Sequence, residues 1–482
     1  MIFLIVLSFL ISIVTGYFFT ISLLPDRQGA SFSYALLKNC LSIGVGLGIT
    51  SCLFFLWLIT FNPDTFTLIV FDSFLLIASI ILFSYMTKFN NNSLLIKTTL
   101  PDAYLKPSWL ISVVVALFLI FFGGTVIIFL IKSIKTPHGY LDAIIAWNMR
   151  ARFLFRGGEL WETAFSVLTD HPLLLPGTIA RIWYYVGSDT TIVPITVAFF
   201  FTFSTVGLLY SSVTILRGRS QGVLAGLLLL STVIFLHSGI NQVGDVPISF
   251  FYLATIVLFH LKDNLSKGKN DFTLILAGIT AGLASWTKSE GSLFIVSIVV
   301  ASALIFLPKK GFKKYIKDLL IWGIGLIPIL AAVIYFKTQI ASPSYVLDQG
   351  WTGIINKLTD PTRYLIITQM MVRTLVTFGD GVLFLLALYL ILMGKKYIIR
   401  DDIVTTFSII VLCFMLIGYF SIYLINPVDL SFVVKVSFKR LFLQLWPAII
   451  FIFFMIVKPP IIINDCSVDG NMDKLVNAKN QC

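Results

Sequence analysis

Ionisable side chains are scarce in this chain, so those that lie beside long apolar runs are the first candidates for chemistry. Only 12% of the 482 residues are charged, against roughly 25% in an average soluble domain. A carboxylate can take the proton of an attacking hydroxyl group, and Lys or Arg can bind phosphate oxygens. Charges at the edge of a membrane are costly and indicate function. The candidates are Asp142, Arg150, Arg152, Arg156, Glu159, Asp170, His171, Asp245, Lys288, Glu290, Lys435, Lys439 and Arg440.

The strongest of these candidates also have ordinary structural explanations. Asp142 could cap a helix or act as a catalytic carboxylate. Asp245 precedes Val-Pro at the start of an apolar run, a position typical of helix capping. Lys288 and Glu290 could form an ion pair or bind an anion, and Arg440 could extend its guanidinium to lipid head groups. The sequence alone leaves these alternatives open.

Other residue types give weaker signals. His171 stands before a proline, where a packed or solvated imidazole is more common than a catalytic one. The five cysteines show no CxxC or similar spacing, so the sequence supports neither a disulfide framework nor a zinc site. No Gly-rich phosphate loop, HExxH or GxSxG is present, which removes the usual signatures of soluble enzymes.

The hydrophobic composition indicates that the helices carrying these residues lie in a membrane. The chain is 58% hydrophobic and contains 44 Phe, and its mean hydropathy is +0.95. These values exclude disorder, an ordinary soluble enzyme and a nucleic-acid-binding domain. The net charge of +12 is explained by Lys and Arg in cytoplasmic loops and by anionic lipids. The apolar N-terminus is expected to be a retained helix and not a signal peptide.

Apolar runs of about 20 residues recur along the chain, and each is long enough to cross a bilayer. They predict an all-α polytopic bundle of about 13 transmembrane helices. The predicted spans are 1–22, 37–60, 66–87, 110–133, 190–214, 221–237, 245–261, 272–287, 291–308, 318–337, 372–393, 403–424 and 438–458.

Loops with clusters of Lys and Arg alternate along the chain with the other set of loops, which predicts the orientation. The Lys-rich turn 309–317 and the tail 459–482 are expected in the cytoplasm, and the long connections 134–189 and 338–371 in the exoplasm. The sequence then divides into N-terminal additional helices (1–109), a core with the exoplasmic loop 134–189 (110–338), a second exoplasmic loop with C-terminal helices (339–458), and the tail.

The loop 134–189 is rich in aromatic residues and is expected to be structured at the membrane surface. A helical wheel over 141–156 predicts an interfacial amphipathic helix. Its apolar face would carry Ile144, Trp147, Ala151, Leu154 and Phe155, and its polar face Asp142, Arg150, Arg152 and Arg156. The Gly157-Gly158 pair is expected to end the helix.

Seven short segments carry a resemblance to a known family. They are Gly139–Ala143, Trp147–Arg152, His171–Pro176, Asp245, Gly282–Lys288, Ser437–Leu441 and Leu445–Pro447. In their order, these segments resemble the C superfamily of glycosyltransferases (GT-C), in the branch of protein O-mannosyltransferases and lipid A aminoarabinose transferase. The similarity covers roughly 110–458. Relatives normally place their acidic loop directly after the first helix, whereas here about three helices precede it.

The resemblance implies a sugar donor linked to polyprenyl phosphate and an exoplasmic acceptor that is a lipid, glycan or protein. It implies inversion at the anomeric carbon, with Asp142 as general base. The expected phosphate-binding residues are Lys288, Arg440, Arg150 and Arg152. Asp245, Glu290 and His171 are expected to bind the acceptor or to assist.

Many relatives carry a paired acidic motif, but Asp142 is followed by Ala143, so a divalent metal is not supported and no cofactor is predicted. The expected partners are the lipid-linked donor, the acceptor and membrane lipids, without nucleic acid. The expected location is the cytoplasmic membrane or, alternatively, the endoplasmic reticulum. Two other classes share the helices and the lipid partner: a lipid-linked sugar flippase or transporter, and an O-antigen-type polysaccharide ligase.

Overall fold

The computed structural model describes residues 1–24, 31–61, 64–90, 109–165, 170–266, 271–343, 346, 349–394 and 402–458. Within these ranges the chain is an all-α bundle without β-strands. The predicted cytoplasmic tail 459–482 lies outside the described residues.

Nineteen α-helices follow one another in the described part of the chain. Their bounds are α1 Ile2–Leu23, α2 Phe32–Thr60, α3 Thr65–Asn90, α4 Trp109–Lys135, α5 Met149–Arg156, α6 Trp161–Phe165, α7 Leu174–Val186, α8 Ile192–Arg217, α9 Arg219–Ser231, α10 Val233–Ile240, α11 Asp245–Ser266, α12 Phe272–Thr287, α13 Glu290–Lys310, α14 Phe312–Tyr335, α15 Gly350–Leu358, α16 Pro361–Thr377, α17 Val382–Met393, α18 Ile403–Ile425 and α19 Leu430–Ile456.

Ten helices of the described chain are long and apolar enough to span a membrane, and up to twelve if each of two bent pairs is one span. The bent pairs are α9 with α10 (63°) and α16 with α17 (71°). The remaining predicted span, 272–287, is α12, a helix of 16 residues. The thirteen predicted apolar segments are therefore all helical, and the chain is an integral multi-pass membrane protein.

Close helix contacts depend on small residues at two places in the bundle. A Cβ added at Gly16 would lie 2.1 Å from the Ser42 carbonyl oxygen, where α1 meets α2. A Cβ at Gly278 would lie 2.0 Å from the Trp322 carbonyl oxygen, where α12 meets α14. Because lipid tails are as apolar as Leu, such close backbone packing is a main source of helix association in membranes.

A buried ion pair connects the N-terminal helices to the rest of the bundle. Arg181 of α7 contacts Asp72 of α3 at 2.7 Å, and the two side chains are 0% and 2% exposed. Arg181 also donates to the Ser12 hydroxyl of α1 at 2.8 Å, and Tyr185 donates to Asp72 at 2.5 Å. The first and third helices are thus joined to the segment 134–189 through one polar network.

Segment 134–189 is largely helical, but one predicted face is wrong. A π-helix, Ala143–Asn148, leads into α5, and the helix ends at Arg156 before the two glycines as predicted. Arg150, assigned to the polar face, is 1% exposed. At 100° per residue it lies only about 60° around the helix from Trp147, beside the buried face. Ile144, predicted on the apolar face, lies in the π-helix and is 43% exposed, as expected of a side chain that faces the lipid boundary.

Candidate active site

Asp245 is the centre of a buried charge cluster at one end of the bundle. Its carboxylate opens α11 and is fully buried. Lys288 Nζ lies 3.0 Å from Oδ1, and Arg440 Nε donates to Oδ2 at 2.7 Å. Gln444 Nε2, one turn further along α19, donates to Oδ1 at 2.9 Å. The cluster therefore joins the start of α11, the α12–α13 turn and α19, which are almost 200 residues apart in sequence.

Lys288 lies in the abrupt turn between α12 and α13. The turn is tight because Gly291 approaches the backbone of α12: a Cβ there would lie 2.2 Å from the carbonyl oxygen of Ala284. Lys288 Nζ also contacts Glu290 Oε1 at 3.0 Å, so the ion pair, one of the two roles that the sequence left open, is present. Burial lowers the pKa of Lys288, but the carboxylates of Asp245 and Glu290 outweigh it and the net shift is upward. Lys288 is held charged in a dry environment.

Asp142 completes the cluster on its solvent side. Arg440 Nη1 donates to Asp142 Oδ2, and the side chains are 32% and 42% exposed. At the start of the π-helix the Asp142 side chain makes no capping hydrogen bond, so it pairs with Arg440 and does not cap the helix. Arg440 thus bridges a buried carboxylate through Nε and an accessible one through Nη1. We refer to Asp142, Asp245, Lys288, Glu290 and Arg440 as the central cluster.

Arg150 and His171 form a second buried pair beside the central cluster. Arg150 Nη2 donates to the His171 carbonyl oxygen, and its guanidinium lies 5.1 Å from the Phe165 ring centre. Burial lowers the pKa of Arg150 to about 9 and that of His171 to about 4. The His171 ring stacks on Trp147 with centroids 5.7 Å apart. Two guanidinium nitrogens of Arg150 and the Nδ1 of His171 have no hydrogen-bond partner among the described residues.

Arg152 is the one predicted phosphate ligand that lies outside this arrangement. Its Nε donates to Asp189 Oδ2 at 3.0 Å, and Arg156 donates to the other oxygen of Asp189 at 2.6 Å. Burial raises the pKa of Asp189, but the hydrogen bonds from the two arginines outweigh it and the net shift is downward. Arg152 and Arg156 thus tie α5 to the loop before α8.

Two functional candidates escaped the sequence analysis. Gln444 contacts both Asp245 and, at 3.5 Å, Glu290. A polar residue four positions after Arg440 in an apolar run was the available signal. Lys337 Nζ contacts Asp170 Oδ2 at 2.6 Å and Ser289 Oγ at 2.9 Å. It ends a long apolar helix, where a lysine is ordinary, so no sequence signal distinguished it.

Every charged side chain of the central cluster is paired with another member of the cluster. Among the described residues, no group of three or more His, Cys, Asp or Glu side chains could hold a metal ion. Asp142 is paired with Arg440, Asp245 with both cations, and Glu290 with Lys288. The geometry places one accessible guanidinium directly beside one accessible carboxylate.

Comparison with known proteins agrees with the resemblance predicted from the sequence. A family model described as dolichyl-phosphate-mannose-protein mannosyltransferase matches residues 170–335, about a third of the chain. That range contains Asp245, Lys288 and Glu290 of the central cluster, and His171. No curated protein and no solved structure matches the chain. The chain is thus an integral multi-pass membrane protein that is similar, over residues 170–335, to the dolichyl-phosphate-mannose-protein mannosyltransferase family.

Proposed function

We propose that the protein transfers a sugar from a polyprenyl-phosphate donor to a hydroxyl group of an exoplasmic acceptor, with Asp142 as general base. The contact of Arg440 with both Asp245 and Asp142 carries this proposal. Transfer from a lipid phosphate requires a cation for the leaving phosphate close to a base for the attacking hydroxyl. These are the two most exposed charges of the cluster, so a substrate can reach both.

Donor binding would rearrange the contact between these two residues. Arg440 is fixed through Nε by the buried Asp245, so its planar guanidinium can stay in place while the donor phosphate replaces Asp142 on the outer nitrogens. Asp142 would then exchange a guanidinium for the acceptor hydroxyl. The hydroxyl oxygen attacks the anomeric carbon, its proton passes to Asp142, and the carbon–oxygen bond to phosphate breaks. The electron pair leaves with polyprenyl phosphate, and Arg440 stabilises the added negative charge. The configuration at the anomeric carbon of the sugar is inverted.

The remaining predicted residues would support this reaction in different ways. Lys288 is 5% exposed and holds two carboxylates, which favours positioning of Asp245 and Glu290 over direct phosphate contact. Arg150 is the second candidate phosphate ligand, since it is buried beside the cluster and contacts no carboxylate among the residues that the structure describes. His171 would accept a hydrogen bond from donor or acceptor as a neutral imidazole.

Single-turnover transfer in nanodiscs tests the proposal. The donor is a polyprenyl-phosphate sugar, and the readout is release of polyprenyl phosphate. Asp142→Asn should slow transfer by about 10²–10⁴-fold, the contribution typical of a general base, while donor binding persists. Glu162→Gln, a carboxylate change in the same loop outside the cluster, is the control. Near-normal transfer by Asp142→Asn would remove Asp142 from the mechanism.

A lipid-linked sugar transporter is the second candidate, because broken helices are common in transporters. The α9–α10 bend lies at Thr232, whose hydroxyl accepts a hydrogen bond from Trp446 Nε1 at 3.0 Å. The α16–α17 bend reaches the same tryptophan through Phe378, 5.1 Å away between ring centres. Movement of the lipid-linked sugar across liposomes without release of polyprenyl phosphate would favour this function over transfer.

A further inference from the structure

A second polar site lies at the opposite end of the bundle from the central cluster. It is a cavity of about 260 Å³ between the ends of α11, α13 and α14, well above the space that one water molecule requires. Lys262 on its wall is 17 residues after Asp245 on α11, and Lys310 is 20 residues after Glu290 on α13. At 1.5 Å per residue the two sites are about 25–30 Å apart. We call it the lysine-lined cavity.

The mouth of this cavity carries a network of lysines and aspartates. Lys310 Nζ contacts Asp318 at 2.9 Å, and Lys262 Nζ contacts the same carboxylate at 3.2 Å. Asp271 lies 3.7 Å from Lys262. Lys314, exposed at the mouth, forms no salt bridge in the described part of the chain, although Asp263 also lines the cavity and lies within electrostatic reach of it. The mouth therefore presents an ammonium group that is available to an external anion.

The interior of the cavity is apolar except for one hydrogen-bond donor. Its walls are formed by aromatic and aliphatic side chains, and Trp322 of α14 lies among them, 4% exposed. The indole Nε1 is buried without a hydrogen-bond partner among the described residues. Long side chains on a helix lean toward its N-terminus, which directs this indole toward the lysines. A buried N–H without a partner is costly, so it calls for an acceptor from a ligand. The apolar wall residues are Phe259, Leu274, Ile298, Phe306, Leu319 and Val404.

We propose that the lysine-lined cavity binds one anionic phospholipid. The lipid phosphate would contact Lys314 and the neighbouring lysines, an ester carbonyl would accept the Trp322 hydrogen bond, and an acyl chain would lie along the apolar wall. A free phosphate shares the first contact alone, so the apolar interior and the indole favour the lipid. Lys309, Lys310, Lys313, Lys314 and Lys317 all belong to the same turn, and clusters of lysine at a membrane surface attract anionic lipids.

Native mass spectrometry of the full-length protein released from nanodiscs tests this proposal. The nanodiscs contain either phosphatidylcholine alone or a mixture with phosphatidylglycerol, and the readout is the fraction of protein that retains one lipid. Phosphatidylglycerol should be retained preferentially. Lys314→Gln should lower its apparent affinity about fivefold, the effect of roughly 1 kcal/mol per lysine near an anionic surface. Trp322→Phe, which keeps the ring and removes the N–H, should lower it about two- to tenfold.

Matched controls separate a built site from a generally basic surface. Lys313→Gln removes an exposed charge of the same turn that does not line the cavity, and Trp351→Phe alters an indole that is 80% exposed. Both should retain phosphatidylglycerol as the wild type does. Equal retention of the two lipids, or an equal loss in Lys313→Gln and Lys314→Gln, would overturn the proposal. Displacement of the lipid by millimolar inorganic phosphate would also overturn it, since the site would then recognise a free anion.

Discussion

Removing the buried carboxylate of Asp245 should destabilise the protein more than removing any exposed carboxylate. Asp245 is fully buried and directly contacts Lys288, which is only 6% exposed. With Asp245→Asn, Lys288 retains only Glu290, and Arg440 retains only Asp142. Breaking a buried ion pair by removing one partner costs about 3–5 kcal/mol. The remaining carboxylates compensate in part, so we expect a loss of about 3 kcal/mol in the free energy of unfolding.

Asp189→Asn is the matched control for this experiment. Asp189 also contacts two cations, but Arg152 and Arg156 are 30% and 62% exposed. Exposed ion pairs contribute about 0–1 kcal/mol each, so the control should lose less than about 2 kcal/mol. Unfolding is measured by titration with sodium dodecyl sulfate in mixed micelles, followed by tryptophan fluorescence. Both variants replace an aspartate by asparagine, and they differ in how deeply the replaced carboxylate is buried.

A double-mutant cycle identifies the source of the effect. Lys288→Met keeps the length of the side chain and removes the charge, so Asp245→Asn should cost much less when combined with it. We expect a coupling of about 1–3 kcal/mol, which is typical of residues in one ion-pair network. Equal losses in Asp245→Asn and Asp189→Asn, or additive losses in the cycle, would refute the assignment of Asp245 as the buried counter-ion of Lys288.

Three further outcomes are expected. Arg440→Ala should weaken donor binding by about 10- to 150-fold, the loss of one charge-assisted contact of ~1.5–3 kcal/mol, and an unchanged affinity in equilibrium binding would return Arg440 to a purely structural role. Burial lowers the pKa of His171 to about 4, so as the pH falls the unfolded chain takes up this proton before the folded protein does. The free energy of unfolding should therefore fall by about 2 kcal/mol between pH 7.5 and 5. Unfolding titrations of His171→Asn should lack this part of the pH dependence. In a cysteine-free background, an impermeant thiol reagent applied to intact cells should label Leu160→Cys and not Lys313→Cys, and the reverse would invert the predicted topology.

The helical architecture was predictable because membrane spans depend on a simple property of the sequence. Each predicted span corresponds to an apolar stretch that is helical in the structure. The bends were not predictable from hydropathy, which reports length and composition and is blind to direction. At the α9–α10 break, Thr232 accepts a hydrogen bond from Trp446, more than 200 residues later in the chain. Hydropathy also predicts α12 to be a membrane span, because the helix is apolar throughout its 16 residues.

The composition of the central cluster was partly predictable from the cost of charge in a membrane. Asp142, Asp245, Lys288, Glu290 and Arg440 were all singled out as costly charges, and the structure brings them together. Apart from the Lys288–Glu290 pair, their pairing was not predictable, because the partners come from elements distant in sequence. Arg150 was predicted on the polar face of the helix, but it is buried. Arg152 was predicted to bind phosphate together with the cluster, because its residue type does not reveal its hydrogen bond to Asp189.

The different exposure of the two carboxylates on Arg440 explains how one site could both hold a charge and release a base. Asp245 is fully buried and is held by Lys288 and Gln444 as well as by Arg440. Breaking its contact with Arg440 therefore requires a large free energy. Asp142 is 42% exposed, and its contact is worth little because water can replace it. An incoming phosphate will therefore displace Asp142 before Asp245. In the proposed reaction, donor binding itself frees the general base, so Asp142 becomes available only when a sugar is in place to be transferred.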